Sequence, residues 1–389
     1  MSASMISVGD QVNFSFQKRA VHVSLVFGLF GLLFNACGEG TNQTDSGRLG
    51  LPELTTHQGD TQGTTYLIKY HGGTVVPQSK IDSVLEAVDV EFNLWRSDSR
   101  INAINAYDQS DSLYRFIDEN LLWSSLWAQS LDLFEASQGA FDPTVQPLVE
   151  LWGFGLSKRE TVSPEDVAGI MPHVGLTFER IDLNEVEHDR VYQFTTVRKR
   201  DAQTGLDFNG IAQGLTVDLL AELLIDHDVV QFMVEVGGEV KCMGERPDGQ
   251  PWRIAIDQPQ ADDADGFERT MQTVLEVRNA AVCTSGNYRK FYEEDGVKRS
   301  HTISPFTGYP VQHGLLSVTI HATDASTADA LATACMVWGP EDGKRFILKY
   351  REENPFERIE AYFISDDGTG WQIWETAGWA GLTFVPESA

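Results

Sequence analysis

Cysteine is scarce in this chain, four in 389 residues, and no two of them stand in a Cys-x-x-Cys spacing. Neither a disulfide framework nor a zinc site is therefore expected to carry the fold. With Cys37 set aside, Cys242, Cys283 and Cys335 are an odd number, read as small buried hydrophobes among apolar neighbours. Positive charge is short as well, with 29 Lys and Arg against 57 Asp and Glu and a formal net charge of -28. No strongly basic stretch offsets that balance, which argues against nucleic acid bound through phosphate neutralisation. An anionic ligand would need a bound divalent cation, or the N–H groups of a glycine-containing helix start. There is no Gly-Lys-Ser/Thr ending of a P-loop, no clear Gly-x-Gly-x-x-Gly fingerprint and no short-period repeat. The acidic run 258–268 lacks the ligand spacing of a calcium loop and reads as a solvated hairpin loop.

Long apolar runs are missing too. The stretch 21–34 is too short for a comfortable membrane span; it follows Lys18 and Arg19 and ends at Asn35-Ala36-Cys37-Gly38. It reads as an export signal whose end resembles a bacterial lipoprotein processing site, with Phe34 and Asn35 in place of the usual aliphatic and small residues. Lipidation of Cys37, an uncleaved anchor and an ordinary signal peptide are the alternatives, and each places the mature domain outside the cytoplasm. The reading divides the chain into residues 1–37 as export signal, 38–58 as flexible tether and 59–389 as folded body.

What is present is a chain with 42% hydrophobic residues, enough for one large or two ordinary cores. Residues 64–70, 232–236, 252–256, 274–277 and 316–320 read as strands, and 81–95, 121–137 and 215–224 as helices. The order is irregular and not a series of βαβ units, so the expectation is an α+β fold with mainly antiparallel β-sheets flanked by helices.

Several segments carry candidate chemistry. Asp329 and Thr333 are four apart in an apolar helical run, which puts a carboxylate and a hydroxyl on one face where a hard cation could sit. Gln62-Gly63 precedes a strand, where glycine allows close backbone approach to a ligand. Residues 139–155 combine prolines, an acid and aromatic surface that could wall a flat ring or simply form a packed turn. In Leu206-Asp207-Phe208-Asn209-Gly210-Ile211-Ala212-Gln213-Gly214, Asn209 is the candidate N-cap of a phosphate-binding helix start. Val236-Gly237-Gly238-Glu239-Val240 is at least a tight turn between strands.

Taken together and in this order, these segments resemble the ApbE family of FAD:protein FMN transferases, from about Gly63 to about Gly339. The most specific blocks are Phe141-Asp142-Pro143-Thr144-Val145, Leu151-Trp152-Gly153-Phe154-Gly155, Thr284-Ser285-Gly286-Asn287-Tyr288-Arg289, Ser300-His301, Thr307-Gly308 and Ala328-Asp329-Ala330-Leu331-Ala332-Thr333. The resemblance implies an ApbE-like fold. It also implies Mg²⁺-dependent transfer of FMN from FAD to a threonine or serine hydroxyl of a target protein, with release of AMP. It implies that Asp329, Thr333 and the backbone carbonyls near Gly210 and Ala332 hold Mg²⁺. Gln62, Trp95, Ala140, Phe141, Asp142, Asp207, Gln213 and Ile303 would contact FAD, and His301 would orient or deprotonate the incoming hydroxyl. The implied acceptors are flavoprotein subunits of membrane redox complexes, and the implied location is the periplasmic face of the inner membrane, anchored by lipid at Cys37. Alternatives are an FAD pyrophosphatase and a non-catalytic FAD-binding lipoprotein. Four positions depart from the family pattern: Ser304 stands for an aspartate, Asn209 for a glycine, Gln62 for a methionine and Gln213 for a charged residue.

Overall fold

A computed structural model describes residues 51–109, 112–118, 121–156, 161–188, 193–259, 270–287, 291–294 and 297–385. The export signal, Cys37, the tether up to residue 50, most of the acidic run 258–268, Tyr288 and Arg289 lie outside the described residues. In chain order the strands are β1 Thr55–Thr61, β2 Thr64–Tyr70, β3 Leu113–Ile117, β4 Ile181–His188, β5 Gln193–Lys199, β6 Phe232–Val236, β7 Glu239–Met243, β8 Trp252–Asp257, β9 Met271–Val277, β10 Ala280–Gly286, β11 Phe291–Glu294, β12 Val297–Ser300, β13 Leu315–Ala322, β14 Glu360–Asp366 and β15 Trp371–Glu375. The helices are α1 Gln78–Phe92, α2 Arg100–Asn105, α3 Leu122–Ala136, α4 Gln146–Leu151, α5 Pro164–Ile170, α6 Ala212–Asp226 and α7 Ala325–Glu353.

Eight strands form the main sheet in the order β1-β2-β6-β7-β10-β13-β14-β15, and every neighbouring pair is antiparallel. A three-stranded sheet, β3-β5-β4, and the hairpins β8-β9 and β11-β12 complete an α+β fold of the expected antiparallel kind. The two faces of the main sheet follow from strand alternation. On β10, Ala281 and Cys283 point into the large core shared with α1, α3, α6 and α7, while Ala280 and Val282 point into a second core under β8 and β9. On β14, Ala361 and Phe363 divide from Tyr362 and Ile364 in the same way. Cys242, Cys283 and Cys335 are free and buried, the role expected for them.

Three boundaries differ from the sequence reading. Strand β1 begins at Thr55, inside the segment read as tether. Its sequence Thr-Thr-His-Gln-Gly-Asp-Thr has no apolar face to announce it, and it is a strand because it completes the hydrogen bonding of β2 at the sheet edge. Helix α1 starts three residues early and ends at Phe92, so Trp95 falls beyond it, after the Asn93 cap. Asn209 is not an N-cap: α6 begins at Ala212, its capping position is Ile211, and no side chain caps it there.

Helix α7 is broken at Gly339, where φ is 79° and ψ is -176°, followed by Pro340 inside the helical run. Proline has no N–H to give to the carbonyl four residues back, and that Met336 oxygen accepts from His313 Nε2 at 2.8 Å instead. A β-carbon on Gly339 would lie 2.7 Å from the His313 ring, so glycine and histidine define the kink together. Among the described residues no helix is long and apolar enough to cross a membrane.

Candidate flavin-transfer site

The first turns of α6 and α7 meet at Gly214. A β-carbon there would lie 2.4 Å from the Ala325 carbonyl oxygen, so only glycine allows this approach. The approach lets the Gly214 N–H donate to Asp329 Oδ2 at 3.1 Å. One turn further along α6, Asp218 accepts from the N–H groups of Ala325 (3.0 Å) and Ser326 (2.9 Å) and from the Ser326 hydroxyl (2.8 Å). It thereby caps α7, whose own N-cap residue Asp324 makes no capping bond with its side chain. Lys241 Nζ neutralises Asp218 at 2.7 Å.

Four residues after Asp329, the Thr333 hydroxyl lies 3.3 Å from Ser285 Oγ on β10. A β-carbon on Gly210 would stand 3.1 Å from both Thr333 Oγ1 and Cγ2, so the 206–211 loop runs directly against this helix face. Asp329 is 5% exposed. Burial pushes its carboxyl up to about 7 against the opposing effect of the Gly214 N–H, and the charge acting on it is the like charge of Asp218. A buried carboxylate in that setting is costly unless a cation offsets it. Among the described residues no group of three or more His, Cys, Asp or Glu side chains is placed to hold a metal ion. The oxygen donors on this face have another make-up: the Asp329 carboxylate and the hydroxyls of Thr333 and Ser285, beside the Gly210 main chain. Hard oxygen donors with a single negative charge fit Mg²⁺, which keeps waters or phosphate oxygens in its octahedron.

Gln62 and Gln213 flank this centre. Gln62, at a left-handed φ of 49°, donates from Nε2 to Thr216 Oγ1 at 2.7 Å, two residues after Gly214. Gln213 lies against the β6-β7 turn, where a β-carbon on Gly237 would come within 2.6 Å of its Nε2. That turn, with φ of 64° at Gly237 and 109° at Gly238, is the tight hairpin the sequence suggested.

A second group gathers around Asp142 and Asp207. Asp142 accepts from the Thr144 N–H at 2.8 Å and from its hydroxyl at 2.6 Å, capping the short 3₁₀ turn Pro143–Val145. The Asp207 N–H donates to the Pro143 oxygen at 2.7 Å, and Asp207 Oδ1 accepts from the Asn209 N–H at 2.7 Å. Burial raises both carboxyls to about 6. Ala140 and Phe141 are buried beside them, the Phe141 N–H bonded to Ser137 Oγ at 3.0 Å. Trp338 of α7 ties in by donating Nε1 to the Ser137 carbonyl at 3.1 Å and packing its ring on Phe306, centroids 4.9 Å apart.

His301 opens the third group. Its ring meets the edge of Phe154 with centroids 6.5 Å apart. The turn that follows it is fixed by Gly308 N–H to Ser304 O (2.8 Å), Ser304 N–H to Tyr309 O (2.9 Å) and Trp152 Nε1 to Gly308 O (2.7 Å). Ile303 is 5% exposed and packs with Leu148, Trp152, Val167 and Val174. Ser304, where the family carries an acid, is also buried. Trp95 joins none of these packed clusters and is 57% exposed.

Sequence reasoning assigned no role to Ser285 or Asp218. Ser285 lies in a motif block already singled out, so a signal existed. Asp218 caps a helix 107 residues away, and nothing local in the sequence marks that.

Fold and site together define an α+β protein with a carboxylate-and-hydroxyl helix face against a glycine loop, oxygen donors of the kind a hard cation takes. The ApbE family model matches residues 62–357, and the chain belongs to the ApbE family and is an enzyme of the transferase class. Among curated relatives, the FAD:protein FMN transferase of Vibrio cholerae is 36% identical over 290 residues, 73% of this chain and 81% of that one. The FAD:protein FMN transferase of Haemophilus influenzae is 32% identical over 337 residues, 85% of this chain and 91% of that one. Among solved structures, the apo form of the flavinyl transferase ApbE of Pseudomonas stutzeri superimposes with a TM-score of 0.71 at 32% identity, covering 86% of this chain and 98% of that one.

Proposed function

We propose that the protein is an FAD:protein FMN transferase that moves the FMN moiety of FAD onto a threonine or serine hydroxyl of a target protein and releases AMP. The observation that carries this reading is the Asp329–Thr333 face held against Gly210 and Gly214 in a chain of this family. Asp329, Thr333 and the carbonyls near Gly210 and Ala332 would hold Mg²⁺, which when bound neutralises the pyrophosphate and the departing AMP. The buried Asp142 and Asp207, with Ala140, Phe141, Gln62, Gln213 and Ile303, would position the dinucleotide, and the exposed Trp95 ring would offer it a stacking face. His301 takes the proton from the acceptor hydroxyl. The hydroxyl oxygen then bonds to the FMN phosphorus as the bond from that phosphorus to the AMP oxygen breaks, giving a phosphoester and AMP.

The acceptors in this reading are flavoprotein subunits of membrane redox complexes. The enzyme works at the periplasmic face of the cell envelope, held by a lipid on Cys37, and Cys37→Ala would abolish labelling by a radioactive fatty acid. To test the activity, the protein is mixed with FAD, Mg²⁺ and an acceptor domain, and AMP and denaturation-resistant protein flavin are measured. Equal amounts of both, lost in Asp329→Ala, are expected. AMP with only free FMN would mean a pyrophosphatase, and FAD retained intact would mean a carrier.

A further inference from the structure

We infer that Asn105 is a positioning residue of the transfer site, held in turn by the buried Lys199; this rests on the reading of Asp207 and Gly210 as nucleotide and cation contacts. Asn105 is the last residue of α2. Its side chain clamps the main chain of Leu206 from 101 positions away, accepting from the Leu206 N–H at Oδ1 (2.7 Å) and donating from Nδ2 to the Leu206 carbonyl (2.9 Å). The amide thus acts on Leu206 as a neighbouring strand would, satisfying both polar groups of a residue that is 0% exposed.

The clamp sits where the 206–210 loop must be aimed. The next residue is Asp207, fixed by its N–H to the Pro143 oxygen, and three residues further Gly210 abuts Thr333. One loop therefore supplies both the dinucleotide contact and the cation contact, and its direction is set at Leu206. Asn105 is itself held from beneath. Lys199, at the end of β5 and 1% exposed, donates from Nζ to the carbonyls of Asn105 (2.9 Å) and Ile104 (3.4 Å), where the carbonyls of a helix end need a donor. Burying a lysine to serve two carbonyls is a costly way to finish a six-residue helix. The position of Asn105 is what that lysine secures.

The test compares wild type, Asn105→Ala, Asn105→Asp and Lys199→Met. It measures the dissociation constant of FAD, the half-saturating Mg²⁺ concentration, thermal midpoints, and amide hydrogen exchange at Leu206 and Gly210 without ligands. In Asn105→Ala both constants rise about tenfold, in step, since one loop carries both contacts. Exchange at the two amides rises as well, while turnover at saturating FAD and Mg²⁺ changes less. Asn105→Asp keeps the acceptor for the Leu206 N–H and falls between. Lys199→Met leaves the clamp in place but unsupported, and shifts both constants in the same direction by less; it decides the matter if Asn105→Ala does not fold. A folded variant with a lower thermal midpoint but wild-type constants and exchange would overturn the inference, the role being structural only. Wild-type protein that fails to bind FAD would instead overturn the proposed function, and the exchange measurement would still report on the clamp.

Discussion

Replacing Gly214 by alanine is the sharpest test of how the cation centre is assembled. The new methyl would begin 2.4 Å from the Ala325 carbonyl oxygen and must reach at least the 3.4 Å of ordinary contact, so α6 and α7 have to separate by about 1 Å at their crossing. Overpacking of this kind costs about 1–3 kcal/mol. The same movement pulls the Gly214 N–H away from Asp329 Oδ2, and a hydrogen bond to a charged group is worth about 1.5–3 kcal/mol. Alanine recovers about 1 kcal/mol of helix propensity. The balance is a loss of roughly 2–5 kcal/mol, or about 3–7 °C in thermal midpoint for a domain of this size. Gly169 of α5 is the control, because a β-carbon there meets nothing within 4 Å, and Gly169→Ala should stabilise by up to about 1 kcal/mol. Thermal unfolding by circular dichroism of the three proteins separates the outcomes. A Gly214→Ala protein as stable as Gly169→Ala would refute the argument that this glycine sets the spacing of the two helices.

Other consequences follow from the buried acids and the aromatic turn. The folded Asp329 carboxyl, raised by burial to about 7 from an ordinary 3.8, binds a proton on folding. In metal-free protein its stabilising contribution is complete below about 4 and is lost as pH rises through 7, and Mg²⁺ should raise the thermal midpoint far more at pH 8 than at pH 5. A response equal at both pH values, or one kept by Asp329→Asn, would count against a cation there. The same sign applies to Asp142, raised to about 6. Asp142→Asn, which can still accept from the Thr144 N–H, should match wild type near pH 4 and exceed it at pH 8 by up to about 3 kcal/mol, as read from urea unfolding. Trp152→Phe removes the donor to the Gly308 oxygen at the turn after His301 and should cost about 1 kcal/mol of stability. It should also lower kcat at an unchanged KM for FAD, whereas a change in KM alone would place His301 outside the transfer step.

The parts of the fold that were legible in the sequence are those whose burial is periodic. Strand β2 buries every second residue, Tyr66, Ile68 and Tyr70, and α1 buries Ile81, Leu85, Val88 and Phe92 at helical spacing. The polar β1 was hidden because its stability comes from its partner strand, and the start of α6 was misplaced because no side chain caps it. Within the site, Asp329 and Thr333 were readable as an i, i+4 pair on one helix. Asn105, Lys199 and Asp218 were not, since each acts on main-chain atoms far away in sequence, and no local pattern encodes a bond made only after the chain has folded.

Asp218 shows how far that distant control extends. It lies one turn after Gly214 on α6, and the two grip α7 at points one turn apart: Asp218 holds the Ala325 and Ser326 N–H groups, and the Gly214 N–H meets Asp329. A single grip would leave α7 free to pivot, whereas two fix both its rotation and its register, and with them the direction of Asp329 and Thr333. Asp218→Ala removes three acceptor contacts and leaves Lys241, among the described residues, paired with Asp324 at 3.0 Å, so a loss of about 3 kcal/mol is expected. Asp218→Asn should be milder. Because both grips act on one rigid helix, the effects of Gly214→Ala and Asp218→Ala should not add: once either is gone, α7 has already shifted and the second change costs less. A double-mutant cycle on unfolding free energy should therefore give a coupling of about 1 kcal/mol or more. Additivity within about 0.5 kcal/mol would mean that the two contacts are independent and that the register of α7 is set elsewhere.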